Sequence, residues 1–215
     1  MKIMVDLKGM SKHKKAEYIW EYYKLHIIGT LAALCIIISI IHSQITKPDY
    51  VFNLTMISNI ADTNKITNLE SLLTKVVVKD GSTRKKARVS TMPIDVSKNA
   101  NLQTTSQYMQ KLTAEVSVGE LDVIILDKTM FESFAKQDMF LRLDNISELN
   151  LDSLKGEKIH AIGSDKKNAL YAIDAKDIML LKKLGFDTKN KVIGIVRSTK
   201  QKYNSILVLK YLLNK

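Results

Sequence analysis

Apolar positions along this chain fall into two regimes that meet near residue 45. Ile27 to Ile41 is apolar apart from Gly29, Thr30 and Ser39, and carried through His42-Ser43-Gln44 to Ile45 it reaches 19 residues. As a helix that is about 28 Å, enough to cross the hydrocarbon of a bilayer. Beyond it the apolar residues come in short blocks that alternate between strand and helix spacing. Tyr50 to Ile57 sets Phe52, Leu54 and Met56 against Asn53 and Thr55, which predicts a strand with one buried face. Ile66, Leu69, Leu72, Leu73, Val76 and Val77 predict a helix over 63–77. Lys86 to Pro93 reads as a second strand ended by Pro93, and Leu102, Met109, Leu112 and Val116 as one stripe of a helix stopped by Gly119.

Leu121 to Leu126 is nearly continuous in apolar and β-branched residues, the pattern of a central parallel strand covered on both faces. Thr129-x-x-Glu132 then reads as a capping box opening a helix that buries Met130, Phe131, Phe134 and Ala135. Further on, Ala169 to Ile173 predicts a strand. Ile178, Leu181 and Leu184 predict a helix closed by Gly185, with Phe186 placed for a cap contact. Val192 to Val196 predicts another buried strand. Ser198 or Thr199 is positioned to cap a last helix bearing Tyr203, Ile206, Leu207, Val208, Tyr211 and Leu212. Strands alternating with helices imply an α/β domain with a doubly wound, mostly parallel sheet.

The flanks of the long apolar run assign it an orientation. Six lysines precede it (Lys2, Lys8, Lys12, Lys14, Lys15, Lys24) against Asp6, Glu17 and Glu21, whereas only Lys47 follows before Lys65. That asymmetry places the N-terminus in the cytoplasm, and Tyr18, Trp20, Tyr22 and Tyr23 suit the headgroup boundary. The expected organisation is a cytoplasmic leader (1–26), a single transmembrane signal anchor (27–45) and an extracytoplasmic domain (46–215) at the plasma membrane. A cleaved secretory signal has a similar basic start and apolar run, but here the leader is long and Ile41-His42-Ser43 is a poor small-residue exit. Ala32-Ala33-Leu34-Cys35 has the outline of a lipid-attachment box, yet Leu34 stands where a small residue is needed and the apolar run continues past Cys35.

Composition narrows the chemistry. Cys35 is the only cysteine, so the 170 residues from 46 to 215 form no disulfide among themselves and rely on a packed core. The net charge is +11, but only four of the 33 basic residues are arginine (Arg84, Arg88, Arg142, Arg197). Lysine-dominated charge is strongly hydrated surface charge. The densest cluster, Arg84-Lys85-Lys86 with Arg88, has no interleaved aromatics and reads as a solvated loop, so no nucleic-acid partner is expected. Of four histidines only His160 lies beyond residue 45, where it reads as a surface loop residue, and no thiol accompanies it. A Ser-His-Asp, Cys-His or zinc site lacks its parts, and among 8 glycines no phosphate loop is formed. Neither an enzyme nor a cofactor is expected.

Gly119-x-x-Asp122-Val123-Ile124-Ile125-Leu126-Asp127, followed by Phe131, Phe134-Ala135, Phe140-Leu141 and Leu143-Asp144, resembles the G-x-x-D-h-h-h-h-D stretch and its sequel in extracellular solute-binding proteins of ABC transporters. Tyr171-Ala172-Ile173 is similar to a later short strand of those proteins, and Ile206 to Leu213 to their C-terminal helix. Tyr22 to Gly29, leading into the apolar run, also resembles small single-span proteins of low-GC Gram-positive bacteria. The resemblance implies a single lobe of a periplasmic-binding-protein fold. Only 26 residues (145–170) separate Asp144 from Tyr171, too few for a second α/β lobe. The partners it implies are a small solute or a membrane protein, with an accessory subunit that binds no small molecule as the alternative.

In an open parallel sheet the ligand crevice lies outside the carboxyl ends of the strands. The ligand-binding candidates on that rule are Ser58, Asn59, Asp95, Asp127, Lys128, Asp174, Arg197 and Ser198, beside Ile94 and Thr199. Helix starts near Thr129 and Thr199, helped by Lys128 and Arg197, would hold an anion there. The competing assignment leaves the hydroxyls as caps and the acids as acceptors for loop amides.

Overall fold

A computed structural model describes residues 11–58, 62–95 and 101–214. The chain divides between Lys47 and Pro48 into two compact units. The first is a single helix, α1 (Lys12–Thr46), whose segment Trp20–Thr46 is long and apolar enough to cross a membrane. The apolar side chains of that Trp20–Thr46 segment, among them Leu31, Ile36 and Ile40, are all exposed. The hydroxyls of Thr30 and Thr46 donate to the carbonyls of His26 and His42, so they need no solvent partner. A helix that is apolar all round and bonds its own polar groups is suited to lipid.

The second unit is a three-layer α/β domain. Its elements are β1 (Asp49–Ile57), α2 (Thr63–Val77), β2 (Lys85–Met92), α3 (Leu102–Val118), β3 (Val123–Asp127), α4 (Lys128–Lys136), β4 (Lys158–Ile162), β5 (Asn168–Asp174), α5 (Met179–Lys183), β6 (Lys191–Ile195) and α6 (Lys202–Asn214). The helix starts follow local chemistry. Asp62 accepts from the backbone N–H of Asn64 and Lys65 to open α2, and Asn101 accepts from that of Thr104 to open α3. Gly119 closes α3 in the left-handed conformation at φ 69°, and Phe186 folds back on α5 with its N–H on the Leu181 carbonyl.

The strands form one six-stranded sheet in the order β2-β1-β3-β6-β5-β4. Alternation along β3 sends Val123 and Ile125 to one face, where they pack with Leu69 and Leu73 of α2, Leu181 of α5 and Leu209 and Leu212 of α6. Ile124 and Leu126 go to the other, with Leu112 of α3 and Met130, Phe131 and Ala135 of α4. β3 is thus buried on both sides, as its apolar run predicts. β1 is buried on both faces towards its end, because Thr55 is covered and bonded to the Ser90 hydroxyl at 2.9 Å.

The sheet is mixed, which corrects the expectation of a mostly parallel one. β1 runs parallel to β2 and β3, but β3–β6, β5–β6 and β4–β5 are antiparallel. The cause is the length of α5. A parallel crossover must carry the chain back along the whole strand, and a five-residue helix advances it only about 8 Å. Gly185 ends that helix and β6 re-enters at the edge where β5 left. β4 also occupies a stretch expected to be loop, so His160 stands exposed on an outermost strand. Its hairpin with β5 closes through Gly163–Lys167, where Lys166 adopts φ 59°. The basic cluster at 84–88 likewise continues into β2 rather than lying wholly in a loop, with the Arg88 guanidinium 5.6 Å from the Tyr50 ring centre.

Gly119 and Gly81 both have positive φ, but an added Cβ would stand 2.6 Å from the Ser198 carbonyl oxygen at Gly119 and meet nothing within 4 Å at Gly81. Gly81→Ala carries only the conformational penalty of about 1 kcal/mol, whereas Gly119→Ala adds a backbone clash and is expected to cost about 2–4 kcal/mol. Urea unfolding of the two variants measures the difference, and equal costs would remove the packing argument.

Candidate functional site

The direction of β6 separates the sequence-derived site residues into two groups. Asp127, Lys128 and Asp174 gather at the edge where β3 and β5 end, beside Ile57 and Ser58 of β1. Arg197 and Ser198 follow β6, which runs the other way, and lie at the opposite edge. The β3–β6 ladder from Asp127↔Lys191 to Val123↔Ile195 separates the two by about 14 Å of strand. The single crevice expected of a parallel sheet is therefore not formed. Asn59 lies outside the described residues. The backbone of Asp95 accepts the Thr105 hydroxyl at 3.0 Å, and the N–H of Ser58 donates to the Met92 carbonyl.

At the first edge the charges are matched to one another. The buried Lys191 ammonium donates to the Ile57 carbonyl and to Asp127 Oδ1, each at 3.1 Å. Lys128 pairs with Asp174 at 2.5 Å, and Asp174 also accepts the Lys176 N–H at 2.7 Å. Hydrogen bonding to Asp174 raises the Lys128 pKa, so the ammonium holds its proton. The capping box at Thr129 is not made: α4 begins at Lys128 with Asp127 as its N-cap, and the Asp127 carboxylate is turned to Lys191 instead of the helix amides.

At the second edge Ser198 and Thr199 do not cap α6, which starts at Lys202. The Ser198 hydroxyl donates to the Val116 carbonyl at 2.5 Å, and the Thr199 hydroxyl donates to Asp122 while accepting from the Gln201 N–H. Asp122, the acid inside the apolar β3 block, is buried and also accepts the Asn53 N–H at 2.7 Å. One carboxylate thus ties β1, β3 and the β6–α6 connection together. Burial raises its pKa, opposed by the Thr199, Asn53 and Gln201 bonds.

The same edge carries a cavity of about 360 Å³ between the stretch after α4, the β4–β5 hairpin and the end of β6, lined by Asp138, Arg142, Asn145, Ser164, Asp165, Tyr171 and Arg197. Two of the four arginines of the chain point into it, each with a carboxylate: Arg142 to Asp165 at 2.5 Å and Arg197 to Asp138 at 2.7 Å. Arg142 is also held by the Tyr171 hydroxyl, which accepts its Nε–H at 3.1 Å, and by the Tyr171 ring, 5.8 Å from its centre. Bonds to Tyr171 and Asp165 raise the Arg142 pKa, and a Ser164 bond and Arg197 lower that of Asp138. Gly163 leaves room for this: an added Cβ there would stand 2.2 Å from the Tyr171 hydroxyl oxygen.

Asp138 sits at φ 59°, just past the end of α4, with its N–H on the Ala135 carbonyl and the Met139 N–H on that of Phe134. Glycine is the usual occupant of that position, and an aspartate there costs about 1 kcal/mol. Of this cavity the strand-end rule identified only Arg197. Asp138, Arg142, Asp165 and Tyr171 come from segments whose meeting depends on the antiparallel hairpin. The signal in the sequence was the scarcity of arginine in a lysine-rich chain. Among the described residues no group of three or more His, Cys, Asp or Glu is placed to hold a metal ion. No family model, curated protein or solved structure matches the chain.

Two outcomes test the charge arrangement. Asp127→Ala leaves the Lys191 ammonium buried with one carbonyl acceptor, whereas Lys191→Met leaves Asp127 able to reach water. Urea unfolding should therefore show the larger loss, about 2–4 kcal/mol, for Asp127→Ala; the reverse order would mean that Lys191 is hydrated. For Asp122, a raised folded-state pKa means that the folded protein holds this proton more tightly than the unfolded chain. That contribution is fully present below the ordinary 3.8 and is lost as pH rises through the raised value. Relative to Asp122→Asn, the wild type should gain stability as pH falls through that window and differ by a constant amount above it. A pH-independent difference would show that burial does not govern this carboxyl.

Proposed function

We propose that this protein is a membrane-anchored, extracytoplasmic binding module, similar to one lobe of a solute-binding protein, which acts by holding a small solute and performs no covalent chemistry. The observation that carries this reading is the cavity beside Arg142 and Arg197, where charged groups on three separate segments converge on open space. Pockets with a few convergent polar groups fixed by a packed scaffold are the common form of solute sites. Asp127 and Asp174, the acids at the opposite edge, are each engaged by a lysine, which suits a structural role better than proton transfer. The extracytoplasmic address rests on the lysine asymmetry across the apolar run. An accessory subunit that docks on a membrane protein shares the anchor and the fold, and is separated from this reading by what the purified chain retains.

The full chain, extracted in detergent from its own host, should carry a bound small molecule in native mass spectrometry. Recovery with a protein partner and no small molecule would replace the solute reading with the accessory one. The address is tested by Ser147→Cys on an exposed turn, which a membrane-impermeant maleimide should label in intact cells. Labelling only after lysis would put the domain inside.

A further inference from the structure

The cavity beside Arg142 and Arg197 has a charge balance that narrows its ligand. Its lining carries two guanidiniums and two carboxylates, arranged as Arg142 with Asp165 and Arg197 with Asp138. Each arginine spends only part of its donor fork on its partner, and each carboxylate only part of its lone pairs. A simple anion entering here meets two aspartates, and a simple cation meets two arginines. A neutral polyol meets neither obstacle but forgoes the stronger charge-assisted bonds. A molecule with both a carboxylate and an ammonium group can use both sets at once.

A second cleft, of about 540 Å³, lies between α3 and α4 and shares Asp138 and Arg197 with the first. Its walls include Leu112, Val116, Phe134 and Met139. The Asp138–Arg197 pair therefore lines both a polar, charge-balanced chamber and a second one whose walls are part apolar and part polar. Asp138 also holds a backbone conformation that glycine would adopt more readily, and side chains kept in such conformations concentrate at functional positions. Arg142 is prepositioned by three contacts with Tyr171 and Asp165 and does not need to be ordered by a ligand.

We infer that these two adjacent clefts bind a small zwitterion of the α-amino-acid class with an apolar side chain. Its carboxylate meets the unspent guanidinium edges of Arg142 and Arg197, its ammonium meets Asp138 and Asp165, and its side chain enters the cleft beside Phe134 and Met139. The inference rests on the reading of the chain as a binding module and adds the location and class of what is bound.

The test uses the full chain in detergent micelles and follows its melting temperature with L-leucine, sodium acetate, n-butylamine and glucose as probes, because a ligand that binds only the folded form raises that temperature. Leucine alone should raise it, and in a concentration-dependent way. Asp138→Gly, which suits the left-handed backbone and so should fold at least as well as the wild type, should lose at least tenfold in leucine affinity. Arg142→Lys, which keeps the charge but loses the fork, should also weaken it. A leucine effect that survives Asp138→Gly would place binding elsewhere and overturn the assignment. A shift with glucose or acetate but not leucine would overturn the ligand class while leaving a binding module. No shift with any probe would overturn the inference, and the native mass measurement above then decides separately whether the chain binds a different solute or a protein.

Discussion

Strand β6 runs against β3 because the five residues of α5 cannot return the chain across the sheet, and this one reversal decides which side chains of the domain meet. It sets Lys191 opposite Asp127 at one edge and delivers Arg197 to the other, next to the segment that follows α4. It also lets Met139 to Leu141 pair along the far end of β6, where Phe140 bridges to Val196. Gly194 makes that approach feasible, since a Cβ there would stand 2.9 Å from the Phe140 ring. The ring is in turn packed against Phe131 at 5.1 Å between centres. The cavity exists because the loop after α4, the β4–β5 hairpin and the end of β6 are brought to one edge by this arrangement.

Polar groups inside the sheet are tolerated where they close a connection that apolar packing leaves open. Asp122 loses solvation in the core of β3 and recovers part of it from the Asn53 amide and the Thr199 hydroxyl. The geometry that satisfies the acid also fixes where the chain leaves β6 and enters α6. Lys191 plays the same part at the opposite edge, joining the end of β1 to that of β3. Each buried charge sits where two strands of distant sequence must keep register, and each is bonded on more than one side, the condition under which a buried charge is not a liability.

Elements whose signals are local were legible in the sequence. α2 spans 63–77 as its apolar spacing predicts, Gly119 ends α3, and Phe186 returns onto α5. The Leu121–Leu126 block is the doubly covered strand it resembled. What could not be read was strand direction, because sixteen residues between β5 and β6 are compatible with either a crossover or a return, and only the early stop at Gly185 distinguishes them. The short polar turn at 163–167 likewise concealed the β4–β5 hairpin. From those two errors followed the assignment of Arg197 and Ser198 to the same crevice as Asp127. The helix caps failed for different reasons: Ser198 and Thr199 have the right chemistry for capping but their side chains are claimed by other partners, and α4 starts one residue before Thr129, so its N-cap position falls on Asp127.

The outermost strand pairs share a feature of their own. Register slips by a residue between Tyr50 and Phe52 where β1 meets β2, and between Ile159 and His160 where β4 meets β5. The outer strands also carry Lys86 and Arg88 on one flank and Lys158 on the other. Irregular, cationic margins make poor templates for another strand. Molecules confined to a two-dimensional surface collide far more often than the same number free in a volume, so a tethered domain with bare, regular margins would be prone to zip into fibrils. Here the sheet is finished at both flanks, and neither margin offers a regular template to another strand.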